Sequence, residues 1–172
     1  KMLNFAHGDV IMVGAYIAYI TMSSLGLPSF VAIIFAMIVC TVLGIVIERL
    51  AYKPLRQATS LAVLITAIGV SYFLQNAALL IFGSAPVSFR SVVQIPALKL
   101  FGGELLVTGE SMVTVIACII IMIALTIFTK KSKMGKAMRA VSEDKGAAEL
   151  MGINVNVTIS ATFAIGSALA AI

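Results

Sequence analysis

Long runs of apolar residues, separated by short polar segments, dominate the chain. Four of them are long: Pro28–Ile47, Leu61–Phe82, Met112–Phe128 and Val157–Ile172. A membrane-crossing helix needs about 17–25 consecutive apolar residues, because its backbone must cross about 30 Å of hydrocarbon. These runs have about that length, so the pattern predicts four transmembrane helices, at residues 28–47, 61–82, 112–128 and 157–172.

A fifth apolar run, Val10–Met22, is shorter and follows the polar segment Asn4–Asp9. Runs of this length are more typical of re-entrant or broken helices than of full membrane crossings. Asp9 is suited to an N-cap, where its carboxylate accepts hydrogen bonds from the first free amides of a helix. The pattern therefore predicts a discontinuous or re-entrant N-terminal element with a helix near residues 10–22.

The composition agrees with a membrane protein. Hydrophobic residues make up 61% of the chain and charged residues 11%, with a mean hydropathy of +1.13. Soluble domains are about 45–50% apolar and about 25% charged, so these side chains need lipid as their solvent. We predict an all-α, polytopic transmembrane helix bundle, of whose single transmembrane domain residues 1–172 are a fragment. Because the last apolar run stops without flanking polar residues, we expect a fragment of a longer protein.

The positive charges indicate how the chain is oriented. The net charge is +5, and the basic residues concentrate in two segments, 48–60 and 129–156, whereas segment 83–111 carries balanced charge. Loops rich in Lys and Arg face the cytoplasm. We therefore predict an external loop at 83–111 and cytoplasmic loops at 48–60 and 129–156. The basic residues form no continuous basic face, which argues against a nucleic-acid partner.

The external loop contains its own local pattern. Apolar residues flank Gly102-Gly103 between Ala97 and Val107. This arrangement predicts a small hairpin with a tight turn. The hairpin could contact an external partner or pack on the ends of the helices.

The second cytoplasmic loop contains the signals of a short helix. Ser142 is a suitable N-cap, Glu143 and Asp144 place negative charge at the positive end of the helix dipole, and Gly152 can end the helix. We therefore predict a helix of about ten residues over Ser142–Gly152. A short amphipathic helix beneath a membrane bundle either lies on anionic lipid or docks into a groove on a partner.

Several motifs resemble those of one family. Lys145–Gly152 resembles the Glu-Ala-Ala, three residues, Gly motif of bacterial ABC-importer permeases, with Gly146 in the place of the Glu. The segments Leu3–Gly8, Glu48–Arg56 and Gly135–Ala140 are similar to the branched-chain amino-acid permease family. The resemblance extends over nearly the whole chain.

This resemblance implies a permease subunit of an importer in the bacterial inner membrane. Such a subunit translocates branched-chain or other hydrophobic amino acids that an external binding protein delivers. It pairs with a second permease subunit and rests on separate ATPase subunits, and it needs neither a cofactor nor a metal. The predicted helix would be the coupling helix that transmits ATPase closure to the pore. Its candidate coupling residues are Arg139, Ser142, Glu143, Ala147, Ala148, Glu149 and Gly152. Two alternatives stay open: an importer for urea or short amides, and an ion-coupled secondary transporter.

Candidates for the substrate path lie at the break before the first helix. Exposed backbone groups at broken helices bind charged ends of substrates. This makes Asn4, His7 and Gly8 candidates, although His7 could equally satisfy freed backbone amides. Gln75 and Asn76 lie deep in a predicted span, where interhelical hydrogen bonds are the more usual role of amide side chains. They are weaker candidates for substrate contact.

The motifs of catalysis are missing. Gly135-Lys136 lacks the remainder of a phosphate-binding loop, because Lys130 and Ala137 occupy the positions of the first Gly and of the Ser or Thr. We therefore expect a transport subunit rather than an enzyme, with ATP hydrolysis on partner subunits. Asp9 and Glu48 lie at the ends of the predicted spans. Spans without internal ionisable groups argue against an ion-coupled carrier.

Overall fold

The chain folds almost entirely into helices. The computed structural model describes residues 6–56, 58–86, 98–100 and 105–172. The helices are α1 (His7–Ser23), α2 (Ser29–Ile47), α3 (Ser60–Phe82), α4 (Gly109–Lys131), α5 (Lys133–Glu143), α6 (Lys145–Leu150) and α7 (Val155–Leu169). A π-helical turn, Glu48–Tyr52, continues α2. The predicted class, an all-α membrane helix bundle, is confirmed.

Within the described residues, one short hairpin accompanies the helices. Strands β1 (Leu98–Leu100) and β2 (Leu105–Val107) pair antiparallel, with Leu98 opposite Val107 and Leu100 opposite Leu105. The hairpin predicted between Ala97 and Val107 is therefore present. The turn at Gly102-Gly103 lies outside the described residues.

Two compact units divide the chain. The first contains α1, α2, the π-helical turn, α3 and α7, and the second contains the hairpin, α4, α5 and α6. Three helical segments of the described chain are long and apolar enough to cross a membrane: Ser29–Tyr52, Leu61–Phe82 and Gly109–Lys131. Helix α7 is also apolar but shorter.

Helix α2 packs directly against both α1 and α7 through small residues. Its buried residues recur every four positions, at Ala32, Ala36, Cys40 and Gly44, and therefore form one stripe. A Cβ atom added to Gly44 would overlap the Ser167 hydroxyl of α7 and lie 2.5 Å from the Ser167 Cβ. On the α1 side, a Cβ atom at Gly14 would lie 3.2 Å from the Cys40 sulfur. Small residues let helix backbones approach closely in lipid, and here they set the spacing of three helices.

The start of α1 differs from the prediction. The helix begins at His7, with Ala6 as the N-cap residue, so Asp9 lies inside the first turn and is not the N-cap. The Asp9 side chain is only 7% exposed and accepts a hydrogen bond from Gln75 of α3, at 3.0 Å. The Asp9 carboxylate therefore accepts its hydrogen bond from a side chain of another helix, and not from the backbone amides of α1 as the sequence pattern predicts.

Candidate functional site

Helix α1 begins beside the middle of its neighbours. The Cys40 thiol, in the central part of the Ser29–Tyr52 span, donates a hydrogen bond to the Val10 carbonyl at 3.6 Å. Val10 lies only three residues after the start of α1. The first turn of α1 is therefore at the depth of the centre of α2.

Contacts between α1 and α3 place the start of α1 at the same depth. The Gln75 amide donates to the Asp9 carboxylate, and seven residues further along both helices Tyr16 stacks on Phe82 with ring centroids 4.1 Å apart. Helices α1 and α3 therefore run parallel, and His7 lies about 20 Å along α3 from its first residue, at 1.5 Å per residue. The start of α1 is therefore level with the interior of two helices that are long and apolar enough to cross a membrane.

A helix that starts beside the middle of its neighbours presents unusual chemistry at that depth. The first amides of any helix have no acceptor within the helix, and the helix dipole makes this end positive. His7 and Gly8 are exposed, and no atom lies within 4 Å of a Cβ built on Gly8. The arrangement offers hydrogen-bond donors to a carboxylate. Asn4, the third predicted residue of this group, lies outside the described residues.

The two amide side chains of the polar pair in α3 have different hydrogen-bond partners. Gln75 joins two helices, through Asp9 of α1, as expected for an amide deep in a span. Asn76 instead donates to the Tyr72 carbonyl of its own helix at 2.7 Å. Only Gln75 therefore supplies the interhelical hydrogen bond that was predicted for the pair.

The predicted coupling helix is two helices rather than one. Helix α5 ends at Glu143, and α6 begins at Lys145. Ser142 is not an N-cap, because it lies in the last turn of α5 and its hydroxyl donates to the Arg139 carbonyl. Asp144 is the N-cap of α6, since its carboxylate accepts from the amides of Gly146 and Ala147 at 2.8 and 3.1 Å.

The end of α6 is as the sequence predicts. Gly152 adopts a positive φ of 79°, its amide donates to the Glu149 carbonyl, and the Ile153 amide donates to the Ala148 carbonyl. These two bonds form a Schellman motif, which satisfies the last carbonyls of a helix and favours Gly. Both ends of helix α6 are therefore capped by hydrogen bonds, although the helix is only six residues long.

The candidate coupling residues occupy different environments. Ala148 is buried, at 3% exposure. The other candidates in this segment are exposed: Arg139, Ser142, Glu143, Ala147, Glu149 and Gly152. Beside them, Leu150 is 91% exposed and Met151 is 83% exposed. These two large apolar side chains at the tip of α6 were not among the predicted site residues.

A buried ionic network also escaped the sequence analysis. Glu48 is fully buried in the π-helical turn, forms an ion pair with Arg56 and accepts a hydrogen bond from the Ser160 hydroxyl of α7 at 2.7 Å. Arg56 donates in addition to the Asn156 side chain of α7. The network joins the segment after α2 to the first turns of α7. Glu48 is therefore a structural part of the bundle and not a residue at the exposed end of a span.

Three helical segments long and apolar enough to cross a membrane, within the described residues, define a multi-pass helical membrane protein. The chain belongs to the branched-chain amino acid transport system permease family, whose model matches residues 1–172. This family relationship confirms the resemblance found in the sequence. Members of this family are permease components of transport systems and not enzymes.

Individual relatives agree with this assignment. The chain is 38% identical to the high-affinity branched-chain amino acid transport system permease protein BraD of Pseudomonas aeruginosa, over 99% of this chain and 59% of the relative. It is 37% identical to the permease protein LivH of Escherichia coli K12, over the same shares. A probable branched-chain amino acid transport permease protein of Methanocaldococcus jannaschii is 29% identical over 98% of this chain and 54% of the relative. The chain thus spans less than two thirds of these relatives. No solved structure gives a significant match.

Proposed function

We propose that this chain is part of the membrane-spanning subunit of an ATP-binding-cassette importer for branched-chain or other hydrophobic amino acids. The subunit lies in the bacterial inner membrane and pairs with a second permease subunit. ATPase subunits bind it on the cytoplasmic side, and a binding protein delivers substrate from outside. The family supports this proposal, as do relatives that match nearly the whole chain and are permease proteins of high-affinity branched-chain amino acid transport systems.

The observation that carries the coupling role is the exposed apolar tip of α6. Leu150 and Met151 are 91% and 83% exposed, although α6 is held by an N-cap at Asp144 and a Schellman motif at Gly152. A capped helix that presents two apolar side chains can enter a groove on a partner and move with it as a rigid body. The positive-inside distribution of Lys and Arg supports a cytoplasmic position for this loop. We infer that the tip of α6 docks on the ATPase subunit.

Replacing both tip residues tests the coupling role. We expect Leu150→Ser with Met151→Ser to lower ATP-dependent leucine uptake by at least about 10-fold, because truncating central apolar residues of an interface costs about 2 kcal/mol or more. Uptake is measured in proteoliposomes with the full-length permease and its partner subunits. Co-purification of the ATPase should fall in parallel.

A matched control is available at the other end of the membrane. Leu25 is also apolar and 61% exposed, but lies between α1 and α2, at the end of α2 opposite to the basic segment 48–60. Leu25→Ser should leave uptake and ATPase co-purification near the wild-type values. If the double variant behaves like Leu25→Ser, the tip of α6 does not couple the permease to an ATPase.

We further propose that the start of α1 contributes to the substrate path. Its free amides, the exposed residues His7 and Gly8 and the preceding Asn4 offer donors to the carboxylate of an amino acid. The depth of this helix start supports the role, since a substrate crossing the membrane must pass this level. Gln75 supports the site indirectly, by fixing Asp9 in the same turn.

Replacing His7 tests this site. If the imidazole donates to the carboxylate of the substrate, His7→Ala should lower leucine uptake by about 10-fold or more, since a hydrogen bond to a charged group contributes about 1.5–3 kcal/mol. The ATPase subunits should still co-purify. Ser23→Ala, at the exposed other end of α1, is the control and should leave uptake unchanged. Normal uptake by His7→Ala would remove His7 from the path.

A further inference from the structure

A cavity lies between the cytoplasmic end of α2 and the first turns of α7. It has a volume of about 350 Å³. The cationic part of its lining consists of Arg49, Lys53 and Arg56. The apolar part consists of Ile45, Val157, Ala161 and Ala164, and two polar side chains of α7, Asn156 and Ser160, complete the lining. The ionic network of Glu48 and Arg56 lies beside it and holds its walls together.

The charges of this cavity are not balanced. Arg56 forms an ion pair with Glu48, but Arg49 and Lys53 have no acidic partner within the described residues. The Arg56 Nε atom is buried and also lacks an acceptor in this part of the structure. A buried donor without an acceptor costs about 1–3 kcal/mol. The cationic part of the cavity therefore favours an anion.

The position along the membrane indicates which anion fits. The apolar span Ser29–Tyr52 contains 24 residues. At 1.5 Å per residue it is about 36 Å long, which exceeds the hydrocarbon thickness of about 30 Å. Arg49 and Lys53, at its cytoplasmic end, are therefore at the level of the lipid headgroups. Ile45 and Ala164 lie nearer the hydrocarbon, on the membrane side of the two cations.

We propose that this cavity binds one anionic phospholipid of the cytoplasmic leaflet. Its phosphate lies against Arg49 and Lys53, and the upper part of an acyl chain lies along Ile45, Ala161 and Ala164. An acidic peptide or a free phosphate ion would balance the cations but would leave the apolar part without an apolar ligand. Basic pockets between transmembrane helices are suited to anionic headgroups, to which each nearby cation adds attraction. This site goes beyond the proposed transport function and requires only that the chain spans a membrane with segment 48–60 on the cytoplasmic side.

Removing the two unpaired cations tests the site. The full-length permease with its partner subunits is purified in detergent, stripped of lipid and titrated with phosphatidylglycerol while native mass spectrometry counts bound lipids. Wild-type protein should bind one phosphatidylglycerol more tightly than phosphatidylcholine. The double variant Arg49→Gln with Lys53→Gln should bind it about 30-fold more weakly, because each cation near a headgroup contributes about a factor of five. Both residues are exposed, so the variant should fold normally.

Two further variants and one competitor complete the experiment. Lys130→Gln with Lys131→Gln removes two exposed cations at the end of α4, and should leave phosphatidylglycerol affinity within about twofold of the wild type. Ala164→Leu fills the apolar part and should weaken phosphatidylglycerol binding while both cations remain. Inorganic phosphate should compete poorly with the lipid.

Three results would overturn the proposal. The first is equal phosphatidylglycerol binding by the Gln variants at the cavity and at α4. The second is displacement of the lipid by inorganic phosphate at comparable concentration, which would identify a soluble anion as the ligand. The third is a photo-crosslink from position 161 to polypeptide rather than to lipid, which would assign the cavity to another protein segment.

Discussion

Replacing Arg56 by Met is expected to lower the free energy of unfolding by about 3–5 kcal/mol, because it leaves the carboxylate of Glu48 buried without its counter-ion. Glu48 has no exposed surface, and within the described residues its partner besides Arg56 is the Ser160 hydroxyl, which cannot neutralise a charge. Met keeps the unbranched stem of the Arg side chain to about the position of Nε, so the change removes the charged guanidinium and retains the apolar stem. The measurement is denaturant unfolding of the full-length permease in detergent.

Pairing this change with Glu48→Gln separates a lost charge from lost packing. The double variant, Glu48→Gln with Arg56→Met, removes both charges and should recover at least half of the stability lost by Arg56→Met. Arg49→Met is the control, because Arg49 is exposed on the same π-helical turn and has no ion pair within the described residues. It should change stability by less than about 0.5 kcal/mol. If Arg56→Met were equally mild, the ion pair would not hold this end of the bundle.

Adding one methyl group at Gly44 is expected to destabilise the protein by about 3 kcal/mol, at the upper end of the usual cost of overpacking. The new Cβ would overlap the Ser167 hydroxyl and lie 2.5 Å from the Ser167 Cβ, so rotation of the hydroxyl cannot remove the clash. Helices α2 and α7 must then move apart. Detergent unfolding of Gly44→Ala measures the loss.

A compensating change identifies the cause of this loss. Combining Gly44→Ala with Ser167→Gly removes both clashing atoms and should restore much of the stability, since the nearest remaining contact would be the Phe163 carbonyl at 3.3 Å. Gly69→Ala is the control, because Gly69 is also inside an apolar helix but has no atom within 4 Å of an added Cβ. It should be neutral or stabilise the protein by about 0.5–1 kcal/mol. Equal destabilisation by Gly69→Ala would show that Gly44 matters for helix flexibility rather than for packing.

The two capping predictions show where reasoning from the sequence succeeds and where it does not. Gly152 was predicted correctly as a helix end, because positive φ is a local property that Gly adopts at almost no cost. Ser142 was predicted wrongly as an N-cap, because Asp144 two residues later is a competing cap of equal quality. Local patterns limit a helix end to a few residues but do not choose between neighbouring caps. That choice depends on how α5 turns into α6.

Asp9 and Glu48 show a larger limit of prediction from the sequence, which is that it does not reveal contacts between distant segments. Both were read as groups at the ends of spans, because each lies at the boundary of an apolar run. In the structure both side chains are buried, and each has a partner on another segment: Gln75 for Asp9, and Arg56 with Ser160 for Glu48. Asp9 and Gln75 are 66 residues apart, and Glu48 and Ser160 are 112 residues apart. No local pattern relates positions so distant.

The sequence by itself determined the class of protein, the number and approximate limits of the apolar helices, and the family. It could do so because hydrocarbon imposes a minimum length and an apolar composition on every span, and these are properties of consecutive residues. Only the tertiary structure decided that α1 begins beside the centres of α2 and α3, which residues pair in the ionic network, and where cations and apolar side chains share a cavity. Those features depend on which helices become neighbours and at what depth, and close packing of small residues such as Gly14 and Gly44 sets both.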